Sequence, residues 1–261
     1  MRCKYLFLVL LILSSIVSAH NEIIQEQNNL ISYITISSLI ITISVFYSLK
    51  KKKLNKYERA ILFTTISLSV LFFTTYLVYE TIYLNINSIT KGPVHWHADF
   101  EIWACKEKLD LKNPEGFFNR IGTSLLHEHN DFRIHIEGVV KYLEEINLHN
   151  FFEVIGGILE KDFISIPTNS GFVSINNNDL CNKERDSIQV FVYKILNPEN
   201  TKKWVYKQEK IKNFEKYTLS PYSSVPPGDC IIIDFDKEKE KTNHICESYK
   251  VAIKKGELNG S

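Results

Sequence analysis

Two short segments gather histidine and carboxylate at a spacing that suits a metal ion. The first reads His95-Trp96-His97-Ala98-Asp99-Phe100-Glu101. The second reads His127-Glu128-His129-Asn130-Asp131-Phe132-Arg133-Ile134-His135-Ile136-Glu137. Six of the chain's eight histidines fall between residues 95 and 149, and five of them lie in these two segments. Residues two apart in a β-strand share a face. His95, His97, Asp99 and Glu101 are therefore expected on one side, with Trp96, Ala98, Phe100 and Ile102 on the other. Imidazoles and carboxylates on one face form the donor set of a divalent cation.

Strands are expected at 94–104 and 132–137. If they are neighbours in one sheet, His95, His97 and His135 converge, and His127 and His129 close over them from the loop before the second strand. Three imidazoles with an open or carboxylate-filled fourth position suit copper or zinc. Asp99, Glu101, Glu128, Asp131 and Glu137 are candidates for further ligands or for groups that fix the ring tautomers. The competing reading is a solvated histidine face that titrates near neutral pH. His149 falls off the apolar stripe of its expected helix, and His244 lies in a charged tail, so neither joins the set.

An enzyme reading draws on the same residues. His95-x-His97-x3-Glu101 has the ligand spacing of a first cupin motif, and His97-x-Asp99 with a distant histidine fits a facial triad. The second cupin motif is absent from the sequence. There is also no G-x-S-x-G, no phosphate-binding glycine loop and no C-x-x-C pair. A cupin-like extracytoplasmic metalloenzyme stays the second alternative. The first is a structural or partner-binding ectodomain of an envelope or membrane complex, its histidines incidental.

The elements that position these residues follow from turns and periodicity. Lys106-Glu107-Lys108 is expected to turn the first strand back into a short partner at 109–111, and Asn113-Pro114-Glu115-Gly116 marks another turn. Asn147 caps a helix with Leu148, Phe151, Phe152 and Ile155 at helical spacing, ended by Gly156-Gly157. Further strands are expected at 162–166, 171–175, 188–195, 203–207 and 230–235, the last entered through Pro226-Pro227-Gly228-Asp229. The fold class expected is α+β. N-terminal transmembrane helices lead to a mainly antiparallel, β-grasp-like extracytoplasmic domain (90–236) with one packed helix, then a loosely ordered charged tail (237–261).

The first 85 residues are strongly apolar. Arg2 and Lys4, the apolar stretch to Val17 and the small residues Val17-Ser18-Ala19 form a signal peptide over 1–19, or an uncleaved signal anchor. Runs at 30–49 and 60–79 each hold 20 residues without a charge, enough to span a bilayer as helices, with the second extended to 84. The basic loop 50–59 between them belongs on the cytoplasmic side, which places the histidine domain outside the cell. Neither charge-free run holds an ionisable residue, so no ion pathway is expected. The expected partners are membrane lipids and membrane-protein subunits. With 31 basic and 30 acidic residues, the charge balance gives nucleic acid no footing.

Cys3 would leave with a cleaved signal. Cys105, Cys181, Cys230 and Cys246 remain, an even number in an oxidising location, so disulfides are expected in one of three pairings. Cys230 with Cys246 would pin the tail to the last strand, and Cys105 with Cys181 would staple the first strand to a later loop. Cys105 also shares the parity of the histidine face, where it could serve as a soft copper ligand.

His97-Ala98-Asp99-Phe100, Ile134-His135-Ile136-Glu137-Gly138 and Phe151-Phe152 together resemble a group of archaeal membrane-anchored proteins. That group pairs an HxHADF strand with an IHxHxxG-type strand and places a Gly-Asp turn before the last strand, as Gly228-Asp229 does here. The resemblance covers residues 94–235 and is specific at the histidine segments. It implies a surface location and a metal, but no activity. This chain departs from the pattern at Glu137, where the group has a second strand histidine.

Overall fold

The computed structural model describes residues 23–51, 53–117, 119–177, 179–181, 184–200, 202–220 and 228–261. The signal segment 1–19 and the Pro226-Pro227 part of the last turn lie outside the described residues. The chain divides into two compact units, Met1–Tyr83 and Leu84–Ser261.

The first unit is built on α1 (Ile23–Lys50) and α2 (Lys56–Asn87). Both are long and apolar enough to cross a membrane. None of the described residues of α2 is buried, which is not how the core helix of a soluble domain behaves. The hydroxyls along both helices bond back to their own backbone, Thr35 to Ile31, Ser44 to Ile40, Ser69 to Thr65 and Thr81 to Leu77. They therefore carry no unsatisfied polarity into an apolar surround. Asn55 and Glu58 exchange backbone bonds at 2.8 and 2.9 Å, a capping box that starts α2.

The second unit is mixed α+β. Its main sheet runs in the order β14, β12, β11, β13, β1, β5, β4, β3, with β2 paired to β1. The long strands are β1 (Pro93–Ala104), β5 (Arg133–Val139), β11 (Ser187–Ile195), β12 (Trp204–Ile211) and β13 (Asp229–Asp236). The short ones are β2 (Glu107–Leu109), β3 (Ile121–Gly122), β4 (Leu126–Glu128) and β14 (Leu258–Gly260). A three-stranded sheet of β6 (Ile158–Leu159), β7 (Phe163–Thr168) and β8 (Gly171–Asn176), and a small hairpin of β9 (Leu180–Cys181) and β10 (Glu184–Arg185), complete the strands. The β1–β13 and β12–β14 pairs are parallel, and the other pairs are antiparallel.

The main sheet is buried on both faces. On one, Ala98, Phe100, Ile134, Ile136, Val190, Val192, Ile231 and Ile233 pack with Leu148, Phe151 and Phe152 of α3 (Leu148–Val154). Asn147 caps α3 by accepting from the Asn150 amide at 2.8 Å, and Gly156 follows it at φ +83°, as its residues foretell. On the other face, Phe191, Tyr193, Cys230 and Ile232 pack with Tyr249 and Ala252 of α4 (Glu247–Lys254) and with Leu258. The continuous apolar run of β13 reflects this double coverage.

Two local expectations change. The hairpin after β1 turns one step earlier than expected, on Cys105 and Lys106, both at positive φ, so Ala104 pairs with Glu107. The tail after Lys237 is ordered as α4 and β14, so a second helix packs on the sheet where one was expected, because Tyr249 and Ala252 cover the face left open by α3.

Cys105 pairs with Cys181 and Cys230 with Cys246, with Cα separations of 5.3 and 5.8 Å. The second bridge ties α4 to β13 across 16 residues. Loop-closure entropy assigns it about 3 kcal/mol. A Cys230→Ser, Cys246→Ser variant is expected to lose about that much stability and to show faster amide exchange first in α4 and β14. Exchange unchanged in those elements would contradict the pinning role.

Candidate metal centre

β1, β5 and β4 place a row of histidines across three adjacent strands. In the β1–β5 ladder His95 lies opposite Glu137, His97 opposite His135 and Asp99 opposite Arg133. In the β4–β5 ladder His127 lies opposite His135. The period of two puts His95, His97, His127, His135 and Glu137 on one face. His129 follows β4 and returns over the row, its ring 4.8 Å from those of both His127 and His135. His97 and His135 are 4.7 Å apart ring to ring, and His95 and His97 are 4.6 Å apart. The five imidazoles form two triads, His95–His97–His135 and His127–His129–His135, each with ligand atoms within 4.8 Å of one another. Both could hold a metal ion.

Register explains why the row sits at this end of the sheet. β13 pairs with Ala98–Ala104 alone, whereas β5 pairs with β1 from Pro93 to Asp99. The segment bearing His95 and His97 thus lies beyond the reach of β13. Gly122, at φ +110°, lets β3 close on β4, because a Cβ there would meet the Leu126 carbonyl oxygen at 2.6 Å. That close approach fixes the strand carrying His127.

Hydrogen bonds assign several tautomers. Asn119 presents a carbonyl oxygen 2.5 Å from His129 Nδ1, so that nitrogen is the donor and Nε2 holds the lone pair. Asp131 Oδ2 accepts from His135 Nε2 at 3.1 Å, leaving the Nδ1 lone pair. His95 and His97 share a contact of 2.8 Å between their Nε2 atoms. Glu137 reaches His95 Nε2 at 3.3 Å and lies 4.0 Å from His127 Nε2 and His135 Nδ1. Glu137 therefore sets a carboxylate against the histidines. What remains unpaired is informative. His97 Nδ1, His135 Nδ1 and both ring nitrogens of His127 are buried with no hydrogen-bond partner. Such atoms are costly unless something coordinates them.

Burial is also the main electrostatic effect. It pushes His97 down to about 4, assisted by His135, His95 and Arg133 and opposed by Glu137. It pushes His127 down to about 4 as well, with Glu137 opposing and His129, His135 and Arg120 assisting. Both rings are neutral at ordinary pH, the form that binds a metal. The unfolded chain binds protons at these rings below pH about 6.5, whereas the folded chain does so only near 4. Stability from this source is full above 6.5 and is lost as pH falls through that window. His127, fully buried, contributes up to roughly 3 kcal/mol; His97, partly solvated, contributes less. Denaturant titration of the metal-free protein in detergent should show stability falling between pH 7 and 5; a flat profile would contradict this.

The remaining candidates are engaged elsewhere. Asp99 accepts from Arg133 Nε at 2.6 Å and from the Ser248 hydroxyl, so it orients no imidazole. Glu101 is buried and accepts from Trp103 Nε1 at 2.9 Å and Lys108 Nζ at 3.0 Å. The cupin-like ligand set thereby lacks its carboxylate. Glu128 holds the β4–β5 turn by accepting the Asp131 amide at 2.7 Å, and burial raises its pKa. Cys105 is in a disulfide and is no copper ligand. His149 is exposed, its Nδ1 3.0 Å from the Leu159 carbonyl oxygen. His244 stacks on Trp103 at 3.8 Å, away from both triads.

Sequence reasoning assigned His127 to a loop and missed β4. The Asn119 carbonyl that orients His129 carries no residue-type signal and was not foreseeable. No family model, curated protein or solved structure matches this chain.

Proposed function

We propose that this chain is a membrane-anchored protein whose second unit binds copper or zinc outside the cell, to capture the ion or present it at the surface. The observation that carries this reading is the set of buried imidazole nitrogens left without hydrogen bonds at His97, His127 and His135. A bound cation turns one nitrogen of a coordinating ring from a cost into a ligand bond. The donor set favours Zn²⁺ or Cu²⁺ over Cu⁺. All four cysteines after residue 100 are in disulfides and the only methionine is Met1, so no soft sulfur donor is at hand.

The extracellular orientation is part of the proposal. It is supported by the lysine-rich segment between α1 and α2 and by two disulfides, which persist in oxidising compartments. Lipids and membrane-protein subunits are the proposed neighbours of α1 and α2. The parallel β1–β13 pair and α3 packed on the sheet support the β-grasp-like reading, and the segments His97-Ala98-Asp99-Phe100 and Ile134-His135-Ile136-Glu137-Gly138 support the resemblance to the archaeal group.

The test is metal content. The full chain, purified in detergent without a histidine tag and dialysed against Zn²⁺, is expected to retain it. A His95→Ala, His97→Ala, His135→Ala variant is expected to lose most of it. Equal retention by both proteins would overturn the assignment.

A further inference from the structure

We propose that the histidine face holds two divalent cations side by side, one in each triad, with Glu137 bridging them. This rests on the metal-binding reading above and extends it to a dinuclear centre.

The triads share only His135, leaving His95 and His97 on one flank and His127 and His129 on the other. A single ion takes about three or four protein ligands. Placed in the first triad, it would engage His97 and His135 but leave both nitrogens of His127 buried and bare, on a residue with no exposed surface. Placed in the second, it would leave His97 Nδ1 in the same condition. Two ions give both His97 and His127 a metal bond, which no single ion in either triad does.

Glu137 lies between the flanks. Its Oε1 is 3.3 Å from His95 Nε2, and its Oε2 is 4.0 Å from His127 Nε2. One carboxylate oxygen therefore faces each triad, which places Glu137 to bridge two ions. His135 offers Nδ1, 4.0 Å from Glu137 Oε1, to the first ion. Its Nε2 now donates to Asp131 at 3.1 Å. To serve the second ion, the ring gives that proton to the Asp131 carboxylate and thence to solvent, becoming an imidazolate. No electron transfer is involved. The Glu137 carboxylate and the imidazolate offset part of the charge of the two cations.

The experiment titrates the full untagged chain in detergent with Zn²⁺ alone, reading bound metal after dialysis. It then loads the chain with Cu²⁺ and records its electron paramagnetic resonance. About two Zn²⁺ per chain, with a spin-coupled copper signal on the second equivalent, is expected. Glu137→Gln should weaken the second equivalent about tenfold or more while the fold persists. One Zn²⁺ per chain, or two copper ions without coupling, would overturn the dinuclear centre yet leave metal binding intact. No bound metal would overturn both readings.

Discussion

Replacing His135 with alanine is expected to weaken metal binding more than any other single histidine substitution, by about a hundredfold or more. Loss of a residue that merely orients a ligand costs about 10–100-fold, and His135 is a ligand in both triads. It is the geometric centre of the row, opposite His97 on one side and His127 on the other. Its removal also deprives Asp131 of the ring it orients. His149→Ala is the matched control, being exposed on α3 and outside both triads. Competition titration with a chelator of known affinity measures the difference. Equal affinities for His135→Ala and His149→Ala would remove the row of histidines from the account.

Replacing Phe151 with alanine is expected to cost about 3–5 kcal/mol of stability. Phe151 has no exposed surface and meets Phe100 of β1 edge to face at 5.4 Å and Phe152 at 5.6 Å. Phe100 lies on the face of β1 opposite the histidines, so α3 backs the strand that carries His95 and His97. The ring sits in a close-packed core with Ile134, Ile136 and Leu148, all fully buried, so its removal leaves a cavity there. Denaturant titration in detergent measures the loss, and a change below about 1 kcal/mol would show that α3 does not clamp the sheet. Metal affinity below the unfolding transition should be nearly unchanged.

The parts of this fold legible in the sequence are those where one local signal dominates. Alternation marks β1 and β5, and Asn147 with Gly156 marks the ends of α3. Asp99 and Glu101 show the limit of alternation, which assigns a face but not a partner. Their oxygens go to Arg133, Ser248, Trp103 and Lys108, residues supplied from β1 itself, β2, β5 and α4. β4 escaped detection because all three of its residues are buried, including the polar His127 and Glu128, so no alternation shows. The tail escaped because α4 is short and follows a run of charged residues. Its buried pair, Tyr249 and Ala252, has meaning only against Phe191, Tyr193 and Ile232 on the sheet. The cysteines illustrate the same point. Sequence left three connectivities open, and the fold selects the one whose two bridges staple the turn after β1 to β9 and β13 to the start of α4.

X-ray absorption at the zinc edge of the loaded full chain tests the central claim most directly. The account predicts a nearest shell at about 2.0–2.1 Å with the outer-shell scattering of several imidazole rings. A shell of oxygen donors without ring scattering would contradict it.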